Sequence, residues 1–290
     1  MSLVDPSEAG EACVRLVSDP AASGARNMAL DEAWLRIYEA SEAPPPIILR
    51  LYSWEVPTLS LGRFQSHAEA LADPHAAGLP VVRRPSGGGA ILHGPGELTY
   101  AVIAAFRVLG TREPRAAYAR IHAAVADALA RLGVGAGPRP AGAADEAARD
   151  ADQDADHDAD TGKSSGHDRD PAGAVSSRFF CFNKVTDFDL VSGDRKLVGS
   201  AQFRLGKAFL QHGSIPLRAE LGLSRATSVS ERLGRPVSRT ELEGALALAF
   251  ADHFDGVSDQ PSDAVEPAVL AAADRLEREK YATGRWTRIK

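Results

Sequence analysis

The sequence predicts an α+β domain, a mixed and mostly antiparallel sheet with helices packed on it. Three observations carry that expectation. Short apolar, β-branched segments follow one another through glycine- and proline-bearing turns, in hairpin rather than βαβ order. Helical periodicity is confined to one stretch near the N-terminus, one mid-chain and two at the C-terminal end. The 44% hydrophobic fraction over 290 residues is ordinary for a globular chain with a real core. That length holds one large domain or two small ones; the expectation is a single domain over residues 1–290.

Taken in order, residues 27–38 read as an amphipathic helix. Met28, Leu30, Ala33, Trp34, Ile37 and Tyr38 recur at helical spacing, with Asp31 and Glu32 placed in the first turn. Pro44-Pro45-Pro46 ends that region. Residues 47–52 read as a strand, and 58–61 as its neighbour after the turn at Pro57. Residues 81–84 lead into a run of three glycines and 90–93 leave it, before a strand at 98–103. A long helix follows over 114–132, with proline at its start and Tyr118, Ile121, Val125, Leu129 and Leu132 as its buried stripe.

The composition then changes. Residues 145–170 hold ten acidic and three basic side chains and no large aliphatic or aromatic residue. Their net −7, set against −6 for the whole chain, leaves the remainder at −6 − (−7) = +1. Such a stretch buries too little surface to offset its ordering entropy, so a disordered acidic insert is expected at about 138–176. Its alternating aspartates lack the glycine and terminal glutamate of a calcium loop, and no metal site is expected.

Order resumes near Phe179. Residues 187–191, 195–204 and 209–217 read as three antiparallel strands joined at Ser192-Gly193-Asp194 and Leu205-Gly206-Lys207. Ser238 and Glu241 form a capping box before an apolar helix, and a last helix is expected over about 264–281. No run approaches the ~20 apolar residues of a membrane span. No secretory signal is visible, and two cysteines, Cys13 and Cys181, fit a reducing, cytoplasmic setting. The net charge argues against a nucleic-acid partner.

The chemistry centres on Arg83-Arg84-Pro85-Ser86-Gly87-Gly88-Gly89-Ala90-Ile91-Leu92-His93. Each glycine loses more backbone entropy on ordering than any other residue, so three together suit a loop that must approach something closely. Bare N–H groups beside two cations suit a phosphate or carboxylate. Without the flanking arginines and histidine, a flexible hairpin turn would be the simpler reading.

This block resembles the signature of the lipoate–protein ligase and octanoyl transferase family, related in fold to biotin protein ligases. Asp189-Leu190-Val191 with Arg195-Lys196-Leu197-Val198-Gly199-Ser200-Ala201-Gln202 resembles the family's lysine segment. Gln211-His212-Gly213-Ser214-Ile215 resembles the strand that follows it. Asn27-Met28-Ala29-Leu30-Asp31-Glu32-Ala33 and Pro57-Thr58-Leu59-Ser60-Leu61-Gly62 match its N-terminal elements, and the five blocks stand in family order.

The resemblance implies the biotin/lipoate protein ligase catalytic-domain fold, with Lys196 as the active-site lysine. An ammonium there suits the negative charge that develops on an acyl carbonyl oxygen. It implies that Arg83, Arg84, Ser86, Gly87, Gly88, Gly89, Ala90, His93, Gly199, Ser200, Ala201, His212 and Gly213 bind substrate. Tyr52, Trp54 and Tyr100 line either the acyl pocket or the core. In one octanoyl transferase branch a cysteine precedes the Asp-Leu-Val strand and accepts the acyl group, which points to Cys181. In another branch the cysteine lies three residues before the His-Gly pair, where this chain has Phe209. Members often carry an acidic residue after the first histidine; here it is Gly94.

The implied function is transfer of octanoate from octanoyl acyl carrier protein, through a Cys181 thioester, to a lysine of a lipoyl-domain protein. The acceptor would be a glycine cleavage H protein or a 2-oxoacid dehydrogenase E2, and no cofactor is needed. The alternatives are an ATP- and Mg²⁺-dependent lipoate–protein ligase and a non-catalytic acyl-binding homologue. The chain leaves no room for the accessory domain that many lipoate ligases carry.

Overall fold

A computed structural model describes residues 13–42, 46–72, 76–139, 189–218, 226–257 and 267–289. In the first half, strand β1 (Val14–Ser18) precedes helix α1 (Gly24–Ala40), β2 (Ile47–Tyr52), β3 (Thr58–Leu61) and the short α2 (His67–Leu71). There follow β4 (Val81–Arg83), β5 (Ile91–His93), β6 (Glu97–Ala105), α3 (Pro114–Arg131) and β7 (Gly137–Pro138). The second half holds β8 (Leu190–Ser192), β9 (Arg195–Leu205), β10 (Ala208–Pro216), α4 (Val229–Leu233) and α5 (Arg239–His253). It closes with α6 (Pro267–Leu276), a π-helical turn over Glu277–Tyr281, and α7 (Gly284–Thr287).

Among the described residues seven strands form one sheet in the order β1-β2-β6-β10-β9-β8-β7, antiparallel except for the β1–β2 pair. All nine residues of β6 are buried because helices cover both faces of the sheet. Alternation sorts its side chains: Leu98, Tyr100, Val102 and Ala104 enter one core with α3 and α5. Ala101 and Ile103 enter the other, with α1 and α6. The Tyr100–Gly213 and Gly213–Ser200 pairings extend the first face across three strands. The next rows, Ala101–His212–Ala201 and Thr99–Ser214–Gly199, belong to the α1 face. That row assignment positions the site.

Several expectations change. The sequence does not predict the strand at 14–18, which with α1 and β2 makes a βαβ unit, so hairpin order is not universal. β3 is not the neighbour of β2. It is the centre of a second sheet, β4-β3-β5, parallel to β4 and antiparallel to β5. The glycine loop therefore passes from one side of β3 to the other and is not a hairpin turn. Asp31 and Glu32 are not first-turn residues, because α1 starts at Gly24 behind an Ser23 N-cap; both lie two turns in and are buried.

Other local features follow the sequence. Pro114 opens α3, and the Ser238–Glu241 capping box opens α5. Gly193 and Gly206 take positive φ in the two β turns. Beyond residue 139 the expected acidic insert lies outside the described residues, as do Cys181 and the start of the strand expected at 187–191. No described helix is long and apolar enough to cross a membrane.

Candidate active site

The two arginines before the glycine loop are buried and face backbone carbonyls. Arg83 donates through Nε and Nη2 to the Thr287 carbonyl at 3.1 and 2.8 Å. Its Nη1 reaches the carbonyls of Gly62, Arg63 and Gln65 at 2.9, 3.0 and 2.8 Å. Trp286 Nε1 returns a bond to the Arg83 carbonyl at 2.8 Å, so this residue fastens the C-terminal turn to β4. Arg84 holds the loop itself: Nη2 donates to the Gly87 and Gly89 carbonyls at 2.8 and 2.6 Å, and Nη1 to Ser60 O at 2.9 Å. A guanidinium with five N–H groups in a rigid fork is suited to collecting several carbonyls at once.

Between them, Gly88 adopts φ +88°. Its carbonyl packs so closely on Gly62 that a Cβ there would stand 1.9 Å from the oxygen.

Behind the loop, between the small sheet, the large sheet and α1, lies a narrow cavity of about 20 Å³, room for one water. Of the residues expected to bind substrate, Arg84, His93, Gly199, Ala201, His212 and Gly213 line it. Trp54 stacks on His93 with centroids 3.9 Å apart and planes 8° from parallel. His93 Nδ1 lies 2.6 Å from Glu97 Oε1, which also accepts from Thr99 Oγ1 at 2.8 Å. Trp54 Nε1 donates to that same hydroxyl at 2.9 Å. The Ser214 hydroxyl is buried on the cavity wall and finds no hydrogen-bond partner among the described residues. A buried orphan hydroxyl costs about 1–3 kcal/mol, which a bound polar group would relieve.

Lys196, wholly buried, lies next to this wall. Its Nζ is 2.9 Å from Asp189 Oδ1, itself buried. The chain of Lys196 folds over Gly199: a Cβ on that glycine would stand 2.8 Å from Lys196 Cε and 3.1 Å from Nζ. The glycine is thus required by the lysine. Asp189 belongs to the motif that carries Lys196, yet nothing in the local pattern shows that it holds the ammonium.

A second buried network was not foreseen. His212 Nδ1 lies 3.0 Å from Asp31 Oδ2, and His212 Nε2 lies 2.6 Å from Ser86 Oγ. Asp31 also accepts from Arg50 Nη1 at 2.7 Å and Tyr52 OH at 3.0 Å. Burial pushes the Asp31 carboxyl up, but Arg50 and His212 outweigh it and hold it below its ordinary value. Burial pushes His212 down despite Asp31, so its ring is neutral. The one signal that pointed to Asp31 is a carboxylate set within the apolar stripe of a helix, where an acidic side chain needs a partner.

The Ser200 side chain and the Cβ position of Gly213 point to the opposite face, while the Gly213 backbone still borders the cavity. Tyr100 OH reaches over Gly213 to Ser200 Oγ at 2.7 Å, and His122 Nε2 meets the same hydroxyl at 3.0 Å. A Cβ on Gly213 would stand 2.5 Å from Ser200 Oγ. Burial raises the Tyr100 hydroxyl to about 12 and lowers His122 to about 4. The Ser200 side chain is therefore tied to α3, away from the cavity. Tyr52 and Trp54 line the cavity, whereas Tyr100 belongs to the core. Among the described residues no group of three or more His, Cys, Asp or Glu side chains could hold a metal ion.

Residues 23–231 match the family model described as the lipoyl protein ligase A/B catalytic domain. Octanoyltransferase LipM of Symbiobacterium thermophilum is 32% identical over 299 residues, covering 94% of this chain and 97% of its own. Octanoyltransferase LipM of Kyrpidia tusciae is 33% identical with the same coverage. Among solved structures, lipoate-protein ligase A bound with ATP superposes with a TM-score of 0.68 at 21% identity, covering 96% of this chain and 99% of that one. A bi-partite lipoate protein ligase from Thermoplasma acidophilum gives 0.62 at 21%, with 96% of each chain covered. At such identities these two speak for the fold alone.

Proposed function

The chain belongs to the lipoyl protein ligase A/B catalytic-domain family, and we propose that it carries octanoate from acyl carrier protein to a lipoyl-domain lysine through a thioester on Cys181. Octanoyl transfer is the activity of the relatives it matches over nearly its whole length. The observation that carries the chemistry is the Lys196–Asp189 pair folded against Gly199 on the cavity wall. A charged donor buried there suits an oxyanion, since it needs no reorganisation as charge develops and acts where water is excluded.

In the first half-reaction the Cys181 thiolate attacks the thioester carbonyl, a new C–S bond forms, and the carrier thiolate leaves and takes up a proton. Both thioesters are of similar energy, so no nucleotide is needed. In the second, the acceptor lysine attacks the acyl-enzyme and cysteine leaves. Lys196 stabilises the tetrahedral oxyanion in both. Arg84 shapes the glycine loop over the reacting centre, and the stacked rings of His93 and Trp54 form a flat wall of the cavity. The cavity of about 20 Å³ must widen to admit an octanoyl chain, by movement of the side chains that line it. The acceptor is a lipoyl-domain protein, either a glycine cleavage H protein or a 2-oxoacid dehydrogenase E2, and the setting is cytoplasmic.

Intact-protein mass spectrometry after mixing with octanoyl carrier protein is expected to show one octanoyl group, released by hydroxylamine. Cys181→Ala is expected to lose the adduct and the ATP-independent transfer, while Cys13→Ala retains both. Full ATP-dependent lipoylation by Cys181→Ala would instead establish a ligase.

A further inference from the structure

We propose that Ser86, His212 and Asp31 form a proton relay that deprotonates the incoming acceptor lysine, a role resting on the octanoyl-transfer reading above. The need is chemical. A lysine ε-amine titrates near 10.4, so at neutral pH only about one in a few thousand is free to attack a carbonyl. Lys196 is poorly suited to take that proton. Its ammonium is ion-paired with Asp189 at 2.9 Å, both groups are buried, and an ammonium offers donors but no lone pair.

The relay has a direction built into it. Asp31, ionised and held by Arg50 and Tyr52, accepts from His212 Nδ1, which fixes the tautomer with the proton on that nitrogen. The Nε2 lone pair then accepts from the Ser86 hydroxyl at 2.6 Å. Carboxylate, imidazole and hydroxyl stand in the order that hydrolytic triads use on unrelated folds. Ser86 sits directly before the glycine loop, and His212 lines the cavity wall. Burial keeps the imidazole neutral, so its lone pair is available. The charged and titratable groups facing it are Asp31 from α1, Arg84 just after β4 and His93 from β5, with Arg50 and Tyr52 of β2 behind Asp31.

The acceptor ammonium gives one proton to Ser86 Oγ while the Ser86 hydroxyl proton passes to His212 Nε2, and Asp31 stabilises the imidazolium. The freed amine forms the C–N bond. Collapse breaks the C–S bond, and the second ammonium-derived proton goes to the departing thiolate. His212 then returns its proton to solvent.

The test separates acceptors by their protonation. Enzyme charged from octanoyl carrier protein is chased at pH 7 with a lipoyl-domain protein or with hydroxylamine, an amine already neutral at that pH. Ser86→Ala and His212→Gln are expected to slow transfer to lysine by about 100-fold or more, the range of general-base catalysis. Hydroxylamine release is expected to stay within about threefold of wild type. The variants' lysine rates should climb with hydroxide between pH 7 and 9, and Ser86→Thr should restore the wild-type ratio. An equal fall for both acceptors would mean a purely structural network and overturns the relay. So does an unchanged lysine rate in both variants, or a selective loss in His93→Gln with Ser86→Ala unaffected. A wild-type chain that forms no acyl-enzyme before the chase overturns the transferase reading itself, and the relay with it.

Discussion

Replacing Gly62 by alanine tests the packing that shapes the glycine loop. A Cβ at Gly62 would stand 1.9 Å from the Gly88 carbonyl oxygen, and 3.0 and 3.2 Å from the carbonyl carbons of Gly88 and Gly87. To restore even a 3.0 Å separation the oxygen must retreat by 3.0 − 1.9 = 1.1 Å. The obstacle is backbone on both sides, so no side-chain rotation relieves it. The loop is also held by Arg84 at 2.8 Å from Gly87 O and 2.6 Å from Gly89 O, and a shift of that size stretches at least one of these beyond hydrogen-bond range. Overpacking costs about 1–3 kcal/mol, and a lost hydrogen bond to a charged group about 1.5–3. The sum is a large share of a domain's stability without exceeding it. Misplacement by about 1 Å at a reacting centre costs about 100-fold in rate. Gly87→Ala is the control, because nothing lies within 4 Å of a Cβ there. Thermal melts and octanoyl transfer measured in parallel should show Gly62→Ala folded, less stable and about 100-fold slower, with Gly87→Ala near wild type. Wild-type melting and activity in Gly62→Ala would refute the packing argument; a Gly87→Ala defect of equal size would mean that the loop needs bare glycine for its ligand.

Two further outcomes are expected. His122 titrates near 4 in the fold against 6.5 in the unfolded chain, so below pH 6.5 the unfolded state binds a proton that the native state refuses. Stability should therefore be full above pH 6.5 and fall as pH drops towards 4, by about 3 kcal/mol at 1.36 kcal/mol per pH unit. His212, lowered by burial, pulls the same way, and Asp31 adds a loss at still lower pH as its carboxylate protonates. Urea melts at stepped pH would show the slope, and His122→Gln should flatten it; an unaltered slope would mean that His122 is not its source. Arg83→Lys should cost about 2–4 kcal/mol, since one ammonium cannot serve both the Thr287 carbonyl and the Gly62, Arg63 and Gln65 carbonyls. Amide exchange over Gly284–Thr287 should quicken before the rest of the domain, and equal protection in wild type and variant would contradict the fastening role.

What the sequence determined by itself is what lies within a few residues. The Ser238–Glu241 capping box, proline at the head of α3, and the glycine turns at 193 and 206 are local chemistry, and they stand where local chemistry puts them. The resemblance of the motif blocks likewise pointed to the family and to Lys196. Tertiary structure decided which partner each polar group finds. Arg83 and Arg84 look like anion binders beside a glycine loop, but they face carbonyls, one of them 204 positions away in the chain. Asp31 and His212 are 181 positions apart, and Ser86 and His212 are 126 apart, so no window of sequence holds the relay. Ser200 stands between two cavity-lining residues, yet strand alternation turns its hydroxyl to Tyr100 and His122 on the other face. The same distance dependence separated β2 from β3, neighbours in sequence that belong to different sheets. A residue's type constrains what it can bond, but only the folded chain sets which of many distant partners comes within 3 Å, and burial makes a polar group left without one costly.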